Sequence, residues 1–307
     1  RSLFIELARP GPIYRASPVI KIGPNREVSV VYRGRRADTD RDIIRYRLLP
    51  DVELGPPPPR LASAGRLNAA GVPIFYGAMD APTCVAELRP PIGSQVVVAG
   101  FELLRELKIL DLSRLSDKVD LVSIFHPRYH ALWALSDFYA YLEDTLSRPI
   151  HPNDEPLDYL PTQALAEYLA SKAGGGFDGV VYRSAQSRDG RCIALFNHAS
   201  RVQLDHEIER LPDPVDDFIL SDPLDSNMVY VVRKEHRDNR RPLKEGRQEV
   251  RDAAGRPPAL KCLLNSVRLC KVKSVEYNVG DRDLVYEDHE IEEMTDEELA
   301  TLMHRAQ

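Results

Sequence analysis

Short apolar runs bounded by turn residues predict a series of β-strands along the chain. Each run is rich in β-branched or aromatic residues and ends at glycine, proline or charged residues. The runs cover residues 43–49, 74–78, 95–103, 108–112, 179–184 and 192–196. A polar loop separates the last two runs, so we expect these two strands to pair with each other.

Helices are predicted between these strands. Asp80 can cap a short helix that has Pro82 in its first turn and ends before Pro90. Apolar residues at helical spacing predict a second helix over about residues 126–147. A third amphipathic helix is predicted between Pro161 and Gly174.

Glu87 departs from the pattern of the short helix. Val85 and Leu88 lie three residues apart and can both face the core. Glu87 instead falls in the last turn, where the helix dipole disfavours a carboxylate by roughly 0.3 to 1 kcal/mol. The charge could simply be solvated and paired with Arg89. A locally disfavoured charge is also typical of a functional residue, so Glu87 is a candidate.

Composition divides the chain into three regions. Residues 1–40 contain proline-marked turns and a basic patch, and we expect an extension packed on the domain. Residues 41–280 are predicted to form the main domain, with a polar insertion at about 203–260 that includes a strand at 228–234. Residues 281–307 form an acidic tail in which Thr295 and Glu298 predict the capping box of a closing helix.

The overall composition is that of an ordinary soluble globular protein. Of the 307 residues, 43% are hydrophobic and 29% are charged. No apolar run reaches the roughly 18 residues of a membrane-spanning helix, so we expect no membrane partner. The formal net charge of −6 argues against nucleic acid as the main partner.

The cysteine and histidine spacings predict neither disulfides nor a metal site. The four cysteines form no Cys-x-x-Cys pair, and we expect them to be reduced core residues of a cytoplasmic protein. His126 and His130 are four residues apart, but no third ligand accompanies them.

The candidate chemistry combines cations, a carboxylate and hydroxyl groups. Arg47, Arg66, Glu87 and Ser184, with Tyr182 beside Ser184, stand out, whereas no nucleophile elbow, dinucleotide fingerprint or phosphate loop is present. Arginine forks match phosphate oxygens, and a carboxylate can bind ribose hydroxyls and stabilise an oxocarbenium-like centre. The set suits a phosphate-bearing sugar ligand, although these residues alone leave other ligands open.

Several separated motifs occur in an order that resembles one known family. They are YRLL at Tyr46, then ELGPPPPRLASAGRLNAAGVPIFYGAMDAPTCVAELRP, KILDL, YLPTQALAEYLASKAGGGFDGVVYRSA and CIALF. Over about residues 41–200 the chain resembles the RES domain family, named for its Arg, Glu and Ser. The segment VRLCKVKSVEYNV at Val267 resembles the closing strands of longer members. The resemblance implies an α+β fold with mixed, largely antiparallel sheets and flanking helices, as in ADP-ribosyltransferases.

The same resemblance implies roles for individual residues. The catalytic residues would be Arg66, Glu87 and Ser184. The substrate-binding residues would be Arg47, Asn68, Tyr76 and Tyr182. Leu67 follows Arg66, where many family members have an aromatic residue; if that aromatic residue stacks on the ligand, affinity or ligand choice would differ here.

Family members imply a substrate and partners. Characterised RES domains are bacterial toxins that degrade NAD+ by hydrolysis or phosphorolysis, commonly under the control of an antitoxin. We therefore expect NAD+ as substrate, inorganic phosphate as a candidate co-substrate, no other cofactor or metal, and an antitoxin or immunity protein as partner. The oligomeric state is left open, with a homo-oligomer as one alternative. The alternatives are an ADP-ribosyltransferase that modifies a macromolecule and a non-catalytic NAD-binding module.

Overall fold

The computed structural model describes most of the predicted domain. The described residues are 17–114, isolated positions between 125 and 145, and residues 155–204, 218–221, 230–233 and 255–276. The chain separates into two compact units, Arg1–Lys273 and Ser274–Gln307, and the elements described below belong to the first.

A mixed, largely antiparallel sheet forms the centre of this unit. The strands in chain order are β1 (Val19–Ile22), β2 (Val30–Ala37), β3 (Phe75–Ala78), β4 (Gln95–Leu103), β5 (Leu107–Asp111), β6 (Gly179–Arg183), β7 (Arg191–Leu195), β8 (Val202–Gln203), β9 (Phe218–Ser221), β10 (Tyr230–Arg233), β11 (Leu260–Cys262) and β12 (Arg268–Lys271). Their order in the sheet is β1-β5-β6-β7-β3-β2-β4-β11-β8, with β12 also on β4. The pairs β5–β6 and β8–β11 are parallel, and β9 and β10 form a separate two-stranded sheet.

Four α-helices accompany the strands in the described residues. They are α1 (Asp40–Leu48), α2 (Pro50–Glu53), α3 (Ala81–Glu87) and α4 (Glu155–Ala170). The predicted cap of α3 is confirmed, because Asp80 accepts a hydrogen bond from the Thr83 N–H at 2.8 Å. This combination of a mixed sheet and separate helices confirms the α+β class. None of the described helices combines the length and apolar character needed to cross a bilayer.

The two faces of the sheet pack against different helices. Phe75 of β3 belongs to a buried cluster that also includes Phe101 of β4 and Ile43 of α1. Its neighbour Tyr76 points to the opposite face, where it packs against a cluster that includes Ala166 and Leu169 of α4. Helix α3 packs on this second face through Cys84, beside Ala78 of β3. The candidate site lies on the face covered by α3 and α4.

One prediction about the N-terminal part was wrong. Residues 43–48, within the run predicted as a strand, are helical, because Thr39 and Asp42 form a capping box and the adjacent Ile43 and Ile44 are buried on one side of α1. Of residues 1–40, the structure describes residues 17–40, and these contain two strands. Strands β1 and β2 belong to the sheet itself, and β2 pairs with β4 along its whole length.

The other predicted strands are present as β3, β4, β5, β6 and β7, and the strand predicted at 228–234 is present as β10. His126 and most of the predicted helix at 126–147 lie outside the described residues. The same is true of the rest of the insertion between 205 and 254, apart from β9 and β10, and of the acidic tail.

Candidate active site

Glu87 and Ser184 meet although 97 residues separate them in the chain. Glu87 is the last residue of α3, and Ser184 directly follows β6. The Ser184 hydroxyl donates a short hydrogen bond to Oε1 of Glu87. Helix α3 follows β3, and β3 pairs with β7 of the β6–β7 hairpin. The sheet order therefore brings the end of the helix and the end of the hairpin together.

The loop between β6 and β7 holds Ser184 in place. Ser184 Oγ accepts hydrogen bonds from the backbone N–H groups of Gln186 at 3.1 Å and Ser187 at 3.0 Å. At the other end of the loop, Gly190 lies directly against Thr83 of α3. Thr83 is itself fixed, because its hydroxyl donates to Oδ2 of Asp80 at 2.9 Å. The serine hydroxyl is thus oriented toward Glu87 by its own loop and by the first turn of α3.

The loop that carries Arg66 is attached to α4. The backbones of Gly65 and Asn68 bond to each other on either side of Arg66, with Gly65 N–H donating at 2.9 Å. The Arg66 carbonyl accepts a hydrogen bond from the Thr162 hydroxyl, and the Gly65 carbonyl accepts one from Gln163 Nε2 at 2.9 Å. Arg66 is therefore presented by a tight turn with both ends anchored.

Tyr76 and Asn68 stabilise this loop from inside. The Tyr76 hydroxyl donates to Asn68 Oδ1 at 2.8 Å and accepts from the Leu67 N–H at 3.0 Å. Burial raises the pKa of Tyr76, so the phenol stays protonated and remains a donor. A Cβ on Gly65 would lie 2.7 Å from Asn68 Oδ1, which explains the glycine at this position.

Asn68, which was predicted to bind substrate, is buried in the loop that presents Arg66. Its side chain is only 6% exposed. The amide nitrogen donates to the carbonyls of Ser63, Ala69 and Val72 at 2.9, 3.1 and 3.0 Å, and the amide oxygen accepts from Tyr76. These contacts use both amide hydrogens, so Asn68 supports the loop that presents Arg66.

Tyr182 is influenced electrostatically by both Arg66 and Glu87. It is paired with Cys192 across the β6–β7 hairpin and is half-buried. Burial raises the pKa of Tyr182 well above its ordinary value, and nearby Cys192, Tyr76 and Glu87 add to the effect while Arg66 opposes it. Its phenol is therefore neutral and can donate or accept a hydrogen bond.

Cys192 is an inert component of this environment. Burial and the neighbouring Glu87 raise the pKa of the Cys192 thiol, so it is not a thiolate at neutral pH. Covalent catalysis by cysteine is not supported at this position.

Comparison with protein families settles the membership of the chain. The RES domain family model matches residues 46–218, which is more than half of the chain. The chain belongs to the RES domain family. The resemblance of the sequence motifs is thereby confirmed, and the RES domain is associated with NAD+-related toxin function. Searches of curated proteins and of solved structures gave no match.

The RES domain match includes Arg66, Tyr76, Glu87 and Ser184, but it begins after another arginine with a buried side-chain nitrogen, Arg33. Arg33 lies on β2, and its guanidinium stands 5.3 Å from the centre of the Phe75 ring. Nη1 is buried without a hydrogen-bond partner in the described structure. Burial, reinforced by Arg35, lowers the pKa of Arg33 to about 10, so the side chain remains a cation at neutral pH.

Arg33 lies close enough to Tyr76 to influence it electrostatically. Arg33 and Arg66 each lower the pKa of the Tyr76 phenol, although burial raises that pKa by more. Within residues 17–114, β2 and β3 are paired only at Tyr32 and Ala78, so the two strands separate beside Arg33. A buried guanidinium with an unused N–H group is costly unless an anion binds there. Sequence analysis missed this residue because its basic segment was assigned to an extension, whereas VSVVYRGR is typical of a strand.

Arg47, which was predicted to bind substrate, lies on α1 in this RES domain. It is exposed in the last turn of α1. Ile43 and Tyr46 of the same helix pack into the cluster around Phe75, on the face opposite Tyr76 and Tyr182. Within the described part of the chain, no hydrogen bond or ion pair connects Arg47 with Glu87 or Ser184.

Proposed function

We propose that this RES domain cleaves NAD+ at the bond between nicotinamide and ribose. The observation that carries the proposal is the hydrogen bond from Ser184 to Glu87, which aims a carboxylate into the same half-buried region as Tyr182 and Arg66. The association of the RES family with NAD+-related toxin function supports the choice of substrate.

The charges in this region match those of the substrate. The pyrophosphate of NAD+ is anionic, and Arg33 and Arg66 supply two guanidinium groups that both influence Tyr76 electrostatically. Arginine binds phosphate oxygens with paired N–H groups, which suits the unused Nη1 of Arg33. The opposite end of the substrate carries the positive charge of the nicotinamide ring, and Glu87 is the carboxylate that would face it.

Glu87 would act on charge that develops during cleavage. As the C–N bond lengthens, its electron pair moves to the ring nitrogen, and nicotinamide leaves as a neutral molecule without the need for an acid. The ribose becomes an oxocarbenium-like cation, which a fixed carboxylate stabilises more than it stabilises the ground state. Ser184 keeps Glu87 oriented, and the neutral phenol of Tyr182 can hydrogen-bond to ribose or to the nicotinamide amide.

Capture of the anomeric carbon completes the reaction. Attack by water, with loss of a proton to solvent, gives ADP-ribose. Attack by inorganic phosphate gives the 1″-phosphate of ADP-ribose. In both cases one C–O bond replaces the C–N bond, and no other cofactor or metal is needed. We further propose that the enzyme acts as a toxin on cytoplasmic NAD+ under the control of an antitoxin, as the family association supports.

Nicotinamide release from NAD+ by the purified protein tests this proposal. It should be measured with and without phosphate, for the natural protein and for Glu87→Gln. Glu167→Gln is a matched control, because Glu167 is exposed on α4. We expect release to persist in the control and to fall at least about a hundredfold in Glu87→Gln, as is common when one stabilising charge or donor is removed.

Each outcome of this experiment has a distinct meaning. Phosphate-dependent release would identify phosphorolysis, and phosphate-independent release would identify hydrolysis. Equal release by Glu87→Gln would contradict the proposed role of the carboxylate. NAD+ binding without nicotinamide release would favour a binding module, whereas release that needs an added macromolecule, together with its labelling, would favour an ADP-ribosyltransferase.

A further inference from the structure

Arg89 has a backbone conformation that usually belongs to glycine. It lies two residues after Glu87, beyond the end of α3, with a φ of 46°. Glycine is favoured at this position after a helix, because a Cβ is strained in the left-handed region. An arginine at this position lowers the stability of the fold relative to glycine. We therefore expect the arginine side chain to have a function that offsets this cost.

The side chain of Arg89 reaches across to the loop of Ser184. The Gln186 amide is satisfied when its oxygen is assigned to the side facing Arg89, and in this orientation it accepts from both Nε and Nη2 of Arg89, each at 3.1 Å. The backbone N–H of Gln186 in turn donates to Ser184 Oγ at 3.1 Å. Ser184 Oγ donates to Glu87. These contacts form a closed path from the end of α3 through the loop and back to the last residue of α3.

We propose that Arg89 is a positioning residue that holds Ser184 against Glu87 through Gln186. The left-handed conformation of Arg89 turns the chain sharply after the helix and lets the side chain reach back to the loop. Since Arg89 is exposed, its contact with Gln186 contributes little to global stability. Its effect is to restrict the loop, and for catalysis this inference rests on the function proposed above.

The substitution Arg89→Gly separates stability from positioning. It relieves the backbone strain and removes the guanidinium, so we expect a higher melting temperature together with a kcat about five- to tenfold lower and a nearly unchanged KM for NAD+. Arg89→Lys retains one donor and should recover part of the kcat. Asn25→Gly is the matched control, because Asn25 also has a positive φ, 60°, and lies in the exposed turn after β1. It should change neither kinetic constant.

Amide hydrogen exchange of residues 184–190 tests the inference without reference to catalysis. We expect the N–H groups of Gln186 and Ser187 to exchange several-fold faster in Arg89→Gly and in Gln186→Ala than in the natural protein or in Asn25→Gly. Unchanged exchange in both variants would overturn the proposal, even if activity fell. If the natural protein released no nicotinamide, the proposed function would fail while the exchange result would still decide whether Arg89 positions the loop.

Discussion

Gly190 and Thr83 approach so closely that no side chain can stand between them. A Cβ on Gly190 would lie 2.5 Å from Thr83 Oγ1 and 2.7 Å from Thr83 Cγ2. Thr83 cannot move away freely, because it is bonded to Asp80 and is only 2% exposed. The Ser184 loop therefore packs directly on α3, and it can do so because Gly190 has no side chain.

The substitution Gly190→Ala should separate Ser184 from Glu87. The added methyl group forces the loop away from α3, at a cost of about 1 to 3 kcal/mol in the free energy of unfolding. We expect a folded protein with strongly reduced nicotinamide release, measured beside its denaturation curve. A second change, Thr83→Ala, makes room for the methyl group and should recover part of the activity. Full activity in Gly190→Ala alone would show that the loop can shift without effect.

Substitutions of Arg33 and Arg47 are expected to differ in their effect on the KM for NAD+. Arg33→Met removes a buried cation with an unused N–H group, so stability should stay equal or rise by about 1 to 4 kcal/mol. The same change should raise KM for NAD+ by about ten- to a hundredfold, through loss of a charged hydrogen bond worth about 1.5 to 3 kcal/mol. Arg47→Met should alter neither KM nor kcat. A larger KM effect from Arg47→Met than from Arg33→Met would restore the role first predicted for Arg47.

The hydroxyl of Tyr76 should matter for both stability and binding. Tyr76→Phe leaves Asn68 Oδ1 and the Leu67 N–H without their partner, which costs about 1 to 3 kcal/mol. Because these contacts hold the Arg66 loop, KM for NAD+ should rise as well. Tyr46→Phe is the control, since that hydroxyl makes a single long hydrogen bond of 3.5 Å at an exposed position. Similar unfolding curves for the two variants would contradict the supporting role of Tyr76.

Asp178 lies away from the site, and we expect this carboxylate to make a pH-dependent contribution to the stability of the fold. Burial by itself would raise the pKa of Asp178, but hydrogen bonds from His198, the Lys108 N–H and Arg105 outweigh it, and the pKa is lowered. A carboxyl group with a lowered pKa stabilises the fold above its unfolded pKa and loses this contribution as pH falls through the folded value. Asp178→Asn should therefore cost about 1 to 3 kcal/mol at pH 7.

The pH dependence of unfolding checks this expectation. The difference between the natural protein and Asp178→Asn should shrink below about pH 4, where an unperturbed Asp takes up its proton. Nicotinamide release should be unaffected at pH 7, because Asp178 precedes β6 and Ser184 follows it at the other end. A constant difference at all pH values would show that the change acts through packing.

The parts of the site that local physics determines could be predicted from the sequence. A carboxylate in the last turn of a short helix identified Glu87, and the strand before Ser184 was evident from its apolar run. Helix α1 was assigned as a strand because its apolar run fits both periods, and the capping box at Thr39 and Asp42 was overlooked. The positions of Arg33, Arg47 and Asn68 depend on strand order and loop closure, which no local pattern encodes.

The position of β7 between β6 and β3 has a consequence for biosynthesis. Glu87 is made early, but Ser184 reaches it only after the hairpin has docked on β3 through β7. Until β7, which ends at Leu195, has been translated, this pairing cannot bring the carboxylate and the serine together. The late appearance of β7 thus delays assembly of the Glu87–Ser184 pair, and a truncation before residue 191 removes the strand that joins β6 to β3.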